Sequence, residues 1–163
     1  MTTPSPTDTR KHIVEVLGES VYHALGLLET LKNERTALET QDDTALLEAV
    51  NAKSSCVSEL RDLESKRQNI CETIGFTSGP FQMEELSAWC DEDSVIRNSW
   101  DQLMEIAAEC NAQNLANGSV IRIRQNHIEA NLAVLRGKAS EPDTYHRHGN
   151  NHHAMNQRSI AEA

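Results

Sequence analysis

Aromatic side chains are scarce in this chain, at 4% of 163 residues. Any core must therefore be built mainly from Leu, Ile, Val and Ala. Glycine and proline are also few, at seven and four, and they cluster rather than recur. An all-β chain with a turn every ten residues or so is excluded by that. Positive charge is short: 15 Lys and Arg face 25 Asp and Glu, for a net charge of −10. So acidic a chain is a poor phosphate binder, because nucleic-acid affinity rests on Lys and Arg displacing counterions. The same sign disfavours anionic lipid. It fits a soluble protein, or one that meets a basic or aggregation-prone partner.

Other signatures are missing outright. No apolar run approaches the ~20 residues that span a bilayer, so stable membrane insertion is not expected. The opening MTTPSPTDTRK has no apolar h-region and is no secretory signal. Cys56, Cys71, Cys90 and Cys110 form no CxxC pair. They read as reduced thiols filling core positions in a cytoplasmic protein. There is no GxSxG, no HExxH and no glycine-rich loop. The Glu-x-x-His pair of helical di-iron sites is absent too. An enzyme is not expected, and no cofactor is assigned.

What the chain does have is helical periodicity. Residues 1–7 are Pro-, Ser- and Thr-rich and read as disordered, with Thr7 or Asp8 as the first helix cap. A seam with alternating spacings of three and four follows: Val14, Leu17, Val21, Ala24, Leu28, Leu31, Arg35 and Leu38. Residues 39–43 are polar, and Asp42 or Asp43 suits an N-cap, so a tight connection is expected there. A second seam runs through Leu46, Val50, Lys53, Val57, Leu60, Leu63, Arg67, Ile70 and Ile74. In it the stems of Lys53 and Arg67 can cover apolar surface while their charges reach water.

GFTSGP at 75–80 is the clearest break. A short helix is expected at 81–90, and the acidic run 91–94 should end it and start the next. The third long seam is Ile96, Trp100, Leu103, Ala107, Cys110, Asn114, Asn117, Ile121, Arg124, Ile128, Asn131 and Leu135, with Gly137 as its stop. Such a helix is on the order of 60 Å long. Three helices of this kind must bury their seams against one another. The expected fold is all-α: an elongated, coiled-coil-like antiparallel bundle of three long helices with a short extra helix and a disordered tail. The organisation is then 1–7, a helical domain at 8–137, and a flexible His-rich tail at 138–163.

The run CNAQNLANGSVI at 110–121 is costly in mid-helix. Against alanine, three asparagines and a glycine cost about 3 kcal/mol together. Asn114 and Asn117 fall on the expected seam, where a buried Asn fixes register. Gly118 would let a neighbouring backbone come close. A partner-binding role for the run is the alternative, and the two are compatible. Beyond it, Val120, Ile121, Ile123, Ile128, Leu132, Val134 and Leu135 cover a wider arc than one seam needs. A second apolar face on a bundle helix must meet something else, such as a partner's amphipathic helix. Trp89 and Trp100 read as core rather than as ligand-stacking groups. The acidic stretch 84–105 reads as a solvated face, with docking of a basic partner as the alternative. His146, His148, His152 and His153 could bind zinc or nickel weakly. A solvated tail with incidental histidines is the preferred reading, and no metal is assigned.

Taken in order, these residues carry a resemblance. ERTAL at 34–38 is followed by Asp43, Leu47, Lys53, Leu60, Leu63 and Arg67. Asn114, Asn117, Gly118 and Ile121 then fit an Asn-x-x-Asn-Gly-x-x-Ile core, and Thr144, Tyr145 and Gly149 close the set. Over roughly residues 28–149 the chain resembles the FlgN family of flagellar type III export chaperones. The resemblance implies an all-helical cytoplasmic chaperone, working without nucleotide hydrolysis. It implies binding of the C-terminal helical segments of hook–filament junction proteins, the hook-associated FlgK and FlgL types. It further implies protection of these clients from premature assembly or degradation, and delivery to the export gate. The arc of Val120, Ile121, Ile128, Leu132 and Leu135 is the expected client surface. Tyr145 matches the family's tail tyrosine, which contacts the gate protein FlhA. The chain departs from the family where His146, Arg147 and His148 follow that tyrosine. A structural coiled-coil tether or self-assembling bundle, or a chaperone of a virulence secretion system, are the alternatives.

Overall fold

The computed structural model describes residues 5–76 and 79–137. Four helices form among them, and no strand: α1 (Pro6–Thr40), α2 (Asp43–Thr73), α3 (Gln82–Cys90) and α4 (Val95–Leu135). The chain divides into two units, Met1–Asn126 and His127–Ala163, and α4 contributes to both.

Local chemistry sets the ends. Ser5, not Thr7 or Asp8, caps α1: its Oγ accepts from the Asp8 amide at 3.2 Å and donates to the Asp8 carboxylate at 2.7 Å. Pro6 then occupies the first helical turn, where its missing N–H costs nothing. The helix thus starts inside the segment expected to be disordered. At the other end Gln41 takes a left-handed conformation (φ 58°), and the Asp42 amide closes back on the Ala37 carbonyl at 3.1 Å. The Asp42 side chain immediately caps α2 through the Ala45 amide at 3.0 Å. Two residues therefore reverse the chain, and α1 and α2 form an antiparallel hairpin. The acidic run behaves similarly: Asp91 accepts from the amides of Ile96 (3.1 Å) and Arg97 (3.0 Å) at the start of α4. Arg10 binds both Asp93 oxygens at 2.6 Å and ties the start of α1 to the α3–α4 connection.

Within the first unit, bonds between α1 and α4 keep a sequence offset of 83 to 86 residues. The two helices therefore run parallel, and α4 is antiparallel to α2. The core is layered. One cluster joins Ile13 and Leu17 of α1 to Cys71 of α2, Met83, Leu86 and Cys90 around α3, and Ile96 of α4. The next joins Ala24, Leu28 and Leu31 to Ile106 and Cys110. The four cysteines are free thiols, three of them buried. Burial raises the pKa of Cys71, Cys90 and Cys110, which keeps them as neutral apolar fillers.

The inward face of α4 differs from the expected seam. Ile106, Cys110 and Asn117 are buried, with Gln113, Val120 and Arg124 half-buried between and beyond them, while Ala107 and Asn114 are exposed. The heptad is kept, but one of its two positions moves back by one residue. Ile106 offers more apolar area than Ala107, and the helix turns to bury it.

Arg67 also departs from expectation. It does not reach for water: it is 7% exposed. Its guanidinium grips both Glu64 oxygens (2.7 and 2.8 Å), donates to Gln82 Oε1 at 2.8 Å, and lies over the Trp100 ring at 5.2 Å. One buried cation thus links α2, α3 and α4. Trp100 is half-buried beneath it, whereas Trp89, expected in the core, is 40% exposed.

Candidate functional site

The third layer of the bundle is polar, and it is built around Asn117. This side chain is 1% exposed, and Glu34 opposite it on α1 is 2% exposed. Asn117 Nδ2 donates to the Leu31 carbonyl at 2.9 Å and to Glu34 Oε2 at 2.8 Å. Asn117 Oδ1 accepts from Gln113 Nε2 at 3.1 Å, one turn back on α4. The other Glu34 oxygen receives Lys53 Nζ of α2 at 2.5 Å. Lys53 therefore spends its charge on a buried carboxylate rather than on water.

A buried carboxylate without partners is strongly destabilising, and a satisfied one is close to neutral. The bonds of such a layer are all made in only one alignment of the helices. Sliding α4 by one turn would set Ile121, in place of Asn117, against Glu34. The cost of Asn117 to the helix is offset by bonds from both ends of its amide.

The other members of the 110–121 run sit differently. Asn111 and Asn114 are exposed and edge an open groove of about 680 Å³, floored by Leu27 and Leu31 and walled by Val50 and Val57 of α2. No backbone approaches Gly118: the space where a Cβ would stand has no neighbour within 4 Å. The close approach expected there is absent.

The residues expected to form a client surface fall in both units. In the first, Val120 is half-buried and Ile121 is 37% exposed. In the second, Ile128, Leu132 and Leu135 are 58%, 41% and 82% exposed. Their spacing of four and three places them on one face of α4. From 127 to 137 only Ala133 is even half-buried. Tyr145 and the four tail histidines lie outside the described residues. Among the described residues no group of three or more His, Cys, Asp or Glu could hold a metal ion, and no helix is long and apolar enough to cross a membrane.

Sequence reasoning missed Glu34 and Gln113 as members of the polar layer. Glu34 stands one residue before Arg35, the charged member of the α1 seam in the sequence. An acidic residue next to a seam position, with a Lys on the next helix, is the signal that could have found it.

No curated protein and no solved structure matches the chain. The family model described as FlgN protein matches residues 9–153, which is most of the sequence and includes all four helices apart from the first residues of α1. The chain belongs to the FlgN family.

Proposed function

We propose that this protein is a cytoplasmic flagellar export chaperone that holds hook-associated proteins of the FlgK and FlgL types before export. Family membership points to flagellar export, and FlgN is a family of chaperones. The observation that carries the client-binding reading is the aliphatic face of Ile128, Leu132 and Leu135. An amphipathic helix of an unassembled subunit has an apolar side that aggregates unless covered, and a face of this kind can cover it. The net charge of −10 keeps a chaperone with exposed aliphatic surface soluble. The exchange must be reversible, so a short stripe of aliphatic contacts suits it better than a deep pocket.

Delivery to FlhA is the second half of the proposal and rests on Tyr145. Tyr145→Ala should leave capture of a hook-associated protein unchanged and weaken binding to the cytoplasmic domain of FlhA. Unchanged FlhA binding would remove the tyrosine from this role. The proposal as a whole is tested by co-purifying the full chain with a hook-associated protein of each type, and failure to retain either would sink it.

A further inference from the structure

The few aromatics of this chain are not all used for packing. Phe81 is 63% exposed and Trp89 is 40% exposed. With Glu85 they recur every fourth residue, from the N-cap Phe81 along α3, and all three are exposed. The opposite side of α3 is sealed into the core by Met83, Leu86 and Cys90. Trp89 packs edge-on against Phe76, with ring centroids 6.0 Å apart. Trp is enriched among the residues that carry most of the binding energy at interfaces.

Along the sequence the charge of this segment is of one sign, and the two arginines that reach it from other helices, Arg10 and Arg67, are paired with Asp93 and Glu64. From residue 79 to residue 96 the sequence has no Lys, Arg or His, and it has Glu84, Glu85, Asp91, Glu92 and Asp93. Asp91 is occupied in capping α4, and Asp93 is occupied by Arg10. Glu84, Glu85 and Glu92 are exposed and make no ion pair among the described residues. An aromatic stripe beside three uncommitted carboxylates matches a surface that is both apolar and cationic. Lys or Arg can pair with the carboxylates and stack on the Trp89 face. A second copy of this acidic chain would bring like charge against like, and an anionic lipid surface would do the same.

We propose that the Phe81–Glu85–Trp89 stripe of α3 is a docking surface for a basic amphipathic helix of another protein. It lies on a different helix from the aliphatic face assigned to clients and does not depend on that assignment.

The test uses the full chain and a synthetic amphipathic helical peptide of leucine and lysine, with a leucine–glutamate peptide as control. Amide and indole resonances are followed by NMR. The lysine peptide should shift Trp89 and the α3 amides and leave the Trp100 indole in place. Glu85→Lys, at an exposed site, should weaken binding at least about tenfold, as should Trp89→Ser. Added salt should weaken it further. The glutamate peptide should not bind. Shifts spread evenly over all acidic faces, or equal affinity for Glu85→Lys, would overturn the proposal. Self-association of the free chain that Glu85→Lys abolishes would assign the stripe to a second copy, and would overturn it too.

Discussion

Asn117 and Glu34, 83 residues apart in sequence, meet at 2.8 Å in the interior of the bundle. Neither is satisfied without the other helix in place. Asn117→Ala removes a donor from a buried carboxylate and should cost about 1–3 kcal/mol of stability, read from urea denaturation. Asn117→Leu should fare no better, because it too takes a donor away from the buried Glu34 side chain. With Glu34→Ala as the second change, a double-mutant cycle should give a coupling of about 0.5–3 kcal/mol. Simple additivity would show that the pair is not an alignment device.

Gly118, the neighbour of Asn117, should behave in the opposite way. It is helical, and nothing stands where its Cβ would go. Gly118→Ala should raise stability by about 0.5–1 kcal/mol, seen as a higher Tm. A loss of stability would reveal a close contact at this position.

Acid should reveal the Arg67–Glu64 pair. The Arg67 guanidinium, through its hydrogen bonds, holds the Glu64 carboxyl below its ordinary value of 4.5. The unfolded chain therefore takes up this proton first as pH falls. The pair's contribution is complete above the ordinary value and is lost as pH drops through the lowered one. Glu64→Gln should thus destabilise the protein at neutral pH, with the difference closing in acid. Glu64 is about half exposed, so salt should also shrink that difference. A difference that widens in acid would contradict the assigned direction.

The helices and their breaks were legible because their causes are local. Heptad spacing marks α1 and α4, Asp42 caps α2, and Gly137 takes a positive φ of 71° just after α4 ends. Ser5 is the less legible cap, because Thr7 and Asp8 lie nearer the first apolar residue. The rotation of α4 was not legible. Ile106 and Ala107, Gln113 and Asn114, and Val120 and Ile121 are neighbouring pairs that both suit a heptad, and neighbours differ by about 100° around the helix. The choice is made on another helix, where Ala24, Leu28 and Leu31 of α1 bury Ile106 in preference to the smaller Ala107. The fates of Lys53 and Arg67 were hidden for the same reason. Each is a surface residue by type, and each is drawn inward by partners on other helices that sequence alone does not place beside it: Glu34 for Lys53, and Gln82 and Trp100 for Arg67. Among the residues read as a client surface, Ile128, Leu132 and Leu135 share a face of α4, while Val120 is half-buried in the other unit.

The most direct measurement is capture of a purified hook-associated protein of the FlgK type by the full chain, with and without Ile128→Asp and Leu135→Asp together. Both residues are exposed, so α-helical circular dichroism should be unchanged. Two charges set into an aliphatic contact should weaken capture at least about tenfold. Equal capture by the double variant, at equal helicity, would show that the aliphatic face of α4 is not where the client binds.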